Sequence, residues 1–412
     1  MLKRKFIDNI KKGLGKAYLE LETAENREDY KESVLYACFN NCSYDFTTEG
    51  SKGAYLFDLI NLFEDRAYFK QSIIDFLYNK APNRSLFAQL LDILQCYYYQ
   101  GDLTIKTFFN DYYKYFIKNG KWTKNKILCY EYLCIILYQV FGLRKVYQIL
   151  KDVERLKIAK GDIGWFLFLI AFKYKNNTTI QHFLPKDIET NALQTYNHTF
   201  EEFLQLAREN RHDYSFAHWA SDIEYKKCLN YLGQTKNVDD IILILNAFEY
   251  KDCPKTIPEE LLFSLLNVHG KNVDNEIYRT LSYRKSKKVE TLAFTLLNDK
   301  ENVINAIHIL MNNYKKDYKK LLIEAYKKVK FSFYKYTPLL FYTIDFMYST
   351  KKDLPDEILF YAYEKSYDAF NREYVVDCMK KRKLLTKEIL NELQHDSDYE
   401  IRQKATKWTG SI

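Results

Sequence analysis

The residues most able to do chemistry in this chain are its lysines, because they are unevenly spread. Between Arg284 and Lys330 twelve basic residues stand against five acidic ones, a local balance of +7 that nearly accounts for the formal +8 of the whole chain. Arg284, Lys285, Lys287 and Lys288 form one group, Lys315, Lys316, Lys319 and Lys320 a second, and Lys327 and Lys328 a third. Lys380, Lys381 and Arg382 add a basic turn further on. If helical turns bring these groups into line, they form a stripe that neutralises phosphates, with an affinity that falls steeply as salt rises. These thirteen residues are the candidate nucleic-acid contacts. A solvated, lysine-rich outer face has the same composition, and no base-reading motif accompanies the charges.

Catalytic and metal-binding constellations are weaker. His182, His198, His212 and His218 fall in one polar stretch with Asp213 beside His212, but their spacing matches no ligand motif. Asp45 and Glu49 are four apart and would present two carboxylates together on a helix; in a loop ending at Gly50, Asp45 would instead cap a helix. Cys38 and Cys42 would share a helix face, with no His or further Cys nearby in sequence to complete a zinc site. Gly13, Gly15 and Lys16 lack the spacing and the preceding strand of a phosphate-cradling loop, so they read as a break between two helices. No nucleophile elbow, zinc-protease helix or dinucleotide fingerprint is present. No catalytic residue, metal or cofactor is therefore expected.

The elements that would position these residues are helices. A chain of 412 residues exceeds what one compact core usually supports, and its 12 glycines and 6 prolines leave little material for the turns of an all-β fold. The eight cysteines are scattered through apolar helical patterns, as expected of reduced thiols in a cytoplasmic protein. The abundance of Tyr (37) and Phe (28), with Lys, Asn and Ile, follows from AT-rich codons and carries little functional weight. The basic start lacks the apolar core of a signal peptide. The longest wholly apolar run, 163–172, would rise about 15 Å as a helix, half a bilayer, and is expected to be buried on all sides.

Apolar residues recur three and four apart almost throughout, as in Leu2, Phe6, Ile10 and Leu14, and strand-like alternation is nearly absent. Thr199 with Glu202 and Ser397 with Glu400 fit the capping box, and Pro258 and Pro355 precede acidic helix starts. From Pro258 onward the pattern predicts helices near 259–268, 273–283, 286–298, 300–313, 315–329, 337–349, 355–368, 371–382, 386–394 and 397–409. Paired, they repeat about every thirty residues. Ser286, Val289 and Ala293 align with Asp398, Ile401 and Ala405: a polar cap, an aliphatic residue and a small alanine that lets two helices approach closely.

This pattern resembles HEAT and armadillo-like helical repeats. The tail from Ser397 to Ala405, together with the blocks Gly13 to Tyr18 and Asn41 to Gly50, resembles a group of bacterial HEAT-repeat proteins with no established activity. The resemblance implies an all-α, right-handed solenoid of stacked antiparallel hairpins. The composition along the chain divides it into an N-terminal helical-hairpin region (1–180), a polar middle region with degenerate helices (181–257) and C-terminal repeats (258–412), the alternative being one continuous solenoid. With no catalytic constellation, the expected function is that of a binding scaffold whose concave face engages a protein or peptide partner. The alternative is salt-sensitive nucleic-acid binding through the lysines. A third reading, a hydrolase or glycosylase acting on nucleic acid, rests on architectural similarity to the alkylpurine DNA glycosylases; it assigns no role to Trp165, Trp219 or Trp408.

Overall fold

A computed structural model describes residues 2–44, 46–173, 199–208, 216, 220–248, 256–329 and 354–410. Among them the chain is all-α, with no strand. The described residues within Met1–Thr190 and Tyr363–Ile412 form one compact unit, and those within Asn191–Phe331 and Tyr336–Ala362 form a second.

The first unit opens with α1 (Leu2–Lys12), α2 (Gly15–Glu22), α3 (Lys31–Cys38), the short α4 (Phe46–Glu49), α5 (Gly53–Ile60), α6 (Arg66–Asn79) and α7 (Arg84–Tyr99). It continues with α8 (Thr104–Lys118), α9 (Lys124–Phe141), α10 (Leu143–Arg155) and α11 (Gly164–Lys173). Side chains cap the starts where helices must begin: Asp65 accepts from the Tyr68 amide, Asn83 from Leu86 and Thr123 from Lys126. Alternate helices pack on one another, α1 on α3, α3 on α5, α5 on α7 and α7 on α9, while α6 and α8 lean on α7. Phe6, Leu56, Phe69, Leu90, Phe109 and Leu133 belong to the resulting core.

The second unit contains α12 (Phe200–Arg208), α13 (Asp222–Leu232), α14 (Val238–Ala247), α15 (Glu259–Leu265), α16 (Lys271–Ser282), α17 (Lys287–Leu296), α18 (Val303–Asn312) and α19 (Lys319–Lys328). The same alternation holds, with α14 on α16 and α16 on α18, and with α17 and α19 flanking α18. The expected capping box forms, Thr199 and Glu202 each bonding the other's amide. Side-chain bonds then tie equivalent places about one hairpin apart: Ser286 to Glu259, Arg284 to the carbonyl of Ile257, Asn313 to that of Arg284, and Asn305 to Asn275.

After α20 (Asp356–Lys365) come α21 (Ala369–Lys381), α22 (Lys387–Leu393) and α23 (Tyr399–Thr409), capped by Asp368, Thr386 and Asp398. From here the chain packs on the first unit, with α22 on α2 and α21 on α4. The tail thus joins the first unit, where apolar surface on the N-terminal helices needs a cover. The alignment of Ser286 with Asp398 is matched in detail. Each residue is an N-cap, each is followed by a fully buried aliphatic residue, Val289 or Ile401, and each of these by a buried alanine, Ala293 or Ala405. Asp398 is the cap in place of Ser397, whose amide is spent on the Gly13 carbonyl at 2.8 Å.

Two further expectations change. The apolar run 163–172 is not buried all round: Ile163, Phe166, Leu167 and Ile170 face the core, but Trp165 is 55% and Phe168 44% exposed. Helix α3 ends at Cys38, so Cys42 lies beyond it rather than one turn along. Both thiols are buried, and burial pushes that of Cys42 up to about 11. Described cysteines are free; Cys253, the histidines 182, 198, 212 and 218, Asp45, Asp213 and Trp219 lie outside the described residues. No described helix is long and apolar enough to cross a membrane.

Candidate functional sites

The structure gathers part of the predicted basic set. The loop before α17 and the loop before α19 lie side by side, fastened by Asn313 Nδ2 donating to the Arg284 carbonyl (2.9 Å) and by Glu290, which pairs with both Lys287 and Lys315. Lys285, Lys287, Lys288, Lys315, Lys316, Lys319 and Lys320 are all exposed along this edge. Glu290 itself is buried, and the lysines beside it hold its carboxyl below the usual range. Lys288 rests over the Phe263 ring, and Arg284 is turned inward toward the Ile257 carbonyl. Lys315, Lys316, Lys319 and Lys320 do not all fall in one α-helix, as the predicted segment 315–329 would have them. Lys315 is extended, Lys316–Tyr318 is a 3₁₀ turn, and α19 starts only at Lys319. Lys327 and Lys328 close the far end of α19, where cations complement the helix dipole, and Lys327 pairs with Glu324. Lys380, Lys381 and Arg382 end α21 and belong to the first unit, with Lys380 over the Trp408 ring.

The N-terminal blocks Gly13 to Tyr18 and Asn41 to Gly50 meet the tail in a buried polar centre. Arg372 and Asp396, both 0% exposed, form a two-pronged pair, Nε to Oδ2 at 2.9 Å and Nη2 to Oδ1 at 2.6 Å. Arg372 also donates to the Lys12 carbonyl at 2.7 Å. Lys52 Nζ, nearly as deeply buried, donates to the carbonyls of Lys11 (2.8 Å) and Cys42 (3.0 Å) and lies 3.7 Å from Glu49. Burial lowers the Lys52 pKa, and Glu49 only partly opposes this. Gly13, at φ +72°, and Gly15 allow the close approach: a Cβ on the first would run into Ser397 Oγ, and on the second into the Glu392 carbonyl. His395 stacks on Tyr18, and Tyr363 donates to Glu392 at 2.6 Å. Glu49, read as one of two candidate carboxylates, accepts from the Ala369 amide and pairs with Lys52. These groups answer one another, so the centre fastens the chain's ends.

Two features gave no signal in the sequence. Asp92 on α7 accepts from Tyr132 (2.8 and 2.9 Å) and from Ser51, and burial pushes its carboxyl up to about 6. A loop residue before α5 and residues on α7 and α9, about forty positions apart, form this cluster, and no motif spacing marks it. The other is a cavity of about 450 Å³ between the α6–α7 and α8–α9 turns, walled by Tyr78, Phe87, Tyr112, Tyr115 and Phe116. On sequence alone Tyr112 and Phe116 are simply part of a helix's apolar stripe. No family model, curated protein or solved structure matches the chain.

Proposed function

We propose that this chain is a non-enzymatic binding scaffold, a right-handed α-solenoid of HEAT- or armadillo-like hairpins that engages a protein or peptide partner on its concave face. The observation that carries the reading is the alternation of helix packing, α1 on α3 through to α9 and α14 on α16 on α18, with side-chain bonds recurring about one hairpin apart in the second unit. Helices stacked in this way present long surfaces, and the buried charges described above are committed to internal partners. The test is affinity capture from native lysate followed by reconstitution from purified components. A partner that co-purifies in fixed stoichiometry and rebinds supports the reading. Recovery of nucleic acid alone refutes it.

A second reading, sequence-tolerant nucleic-acid binding, is favoured by the side-by-side placement of the loops before α17 and α19, which concentrates seven exposed lysines on one edge. Reversing Lys315, Lys316, Lys319 and Lys320 to Glu is expected to abolish a salt-sensitive gel shift. An unchanged shift removes this edge from consideration.

A further inference from the structure

The cavity between the α6–α7 and α8–α9 turns combines an aromatic lining with charge of a single sign. Its walls are aromatic: Tyr78, Tyr112, Tyr115 and Phe116 surround it, and Tyr115 is 38% exposed. Its charge is of one sign, since Lys80, Lys121 and Lys126 line it and no Asp or Glu does.

Lys126 is the telling member. Its ammonium lies 4.4 Å from the Trp122 ring centroid and 5.1 Å from that of Phe116, and its hydrogen-bond acceptors are the carbonyls of Asn119 and Gly120. No described carboxylate pairs with it, or with Lys80 or Lys121. Burial lowers the Lys126 pKa, as expected where nothing of opposite sign compensates the charge. A pocket of this kind is complementary to an anion that brings a planar ring with it.

Size narrows the class. The cavity of about 450 Å³ falls in the range of about 300–1,000 Å³ usual for small-ligand sites. It is confined to two neighbouring turns rather than drawn out along several hairpins, which suits one ring and its attached anionic group better than an extended peptide. Aromatic side chains set in a basic surround are also the arrangement that holds unpaired bases.

We infer that this pocket binds a nucleotide, its base among Tyr78, Tyr115 and Phe116 and its phosphate on Lys80, Lys121 and Lys126. The nucleotide is either free or one residue of a single strand. The site is separate from the lysine edge before α17 and α19 and does not depend on the scaffold reading.

The test uses the full chain, with AMP measured by calorimetry and a fluorescein-labelled deoxythymidine twelve-mer measured by anisotropy. Tyr115→Ala and the pair Lys80→Glu/Lys121→Glu change exposed side chains, so these variants are expected to keep the wild-type helical circular dichroism. Tyr115→Ala is expected to weaken binding about tenfold or more. The charge reversal is expected to weaken it further and to flatten its salt dependence. AMP binding with this sensitivity identifies the ligand as a free nucleotide, and twelve-mer binding without AMP binding identifies a strand. The proposal is overturned if neither probe binds, if both variants bind like wild type, or if only Lys316→Glu/Lys320→Glu on the lysine edge weakens binding.

Discussion

Replacing Arg372 with Met should open the junction between the two ends of the chain. The guanidinium makes a two-pronged pair with Asp396 and donates to the Lys12 carbonyl, all without solvent. Methionine fills much of the volume but leaves the Asp396 carboxylate buried with the Asp398 amide as its remaining donor. Breaking a buried pair in this way costs about 3–5 kcal/mol, and the orphaned Lys12 carbonyl adds about 1–3 kcal/mol. Converting Asp396 to Asn as well removes the uncompensated charge while keeping an acceptor for the Asp398 amide. The double variant should therefore recover about 2 kcal/mol over Arg372→Met alone. Urea unfolding followed by circular dichroism gives the free energies, and hydrogen exchange gives the location. Protection should fall in α2, α22 and the Gly13–Gly15 turn, with α16 and α18 unaffected. A loss below about 1 kcal/mol, or a double variant equal to the sum of the two singles, would refute the reasoning.

Gly15→Ala forces a methyl against the Glu392 carbonyl and should destabilise the chain by about 1–3 kcal/mol, read as a lower urea midpoint. Burial pushes the Asp92 carboxyl up to about 6 from 3.8, so its contribution is complete below 3.8 and is lost as pH rises through the folded value. That loss amounts to up to about 3 kcal/mol, and Asp92→Asn should remove this component from the urea midpoints between pH 4 and pH 7. His308 moves the other way: burial pushes it down to about 3 from 6.5, so its contribution is present above 6.5 and is lost as pH falls toward 3. His308→Met should flatten the acid limb of the stability profile; an unchanged limb would show that the imidazole does not titrate on unfolding. Deleting residues 363–412 uncovers the surface that α22 occupies on α2, and the shortened chain should aggregate, as light scattering would show.

Helices are written locally, and the sequence reads them well. Periodicity and capping place α17 and α23 within two residues of their observed starts, and the match of Val289 with Ile401 and of Ala293 with Ala405 survives because each depends only on neighbours three to seven positions away. The Gly13–Gly15 break is likewise legible, since positive φ at Gly13 favours glycine. What the break is for is not legible, because the atoms that demand those glycines, Ser397 Oγ and the Glu392 carbonyl, come from the opposite end of the chain. The basic groups could be counted in the sequence, but only packing set the lysines of two loops on one edge and assigned Lys380, Lys381 and Arg382 to the other unit. The aromatic pocket shows the same division. Tyr78, Tyr115 and Lys126 are unremarkable on their own helices, and they become a site where two hairpin turns meet without a carboxylate between them. Local chemistry determined the helices and their caps. Proximity between residues distant in sequence, which no periodicity encodes, decided the clasp between the chain's ends, the two units and the pocket.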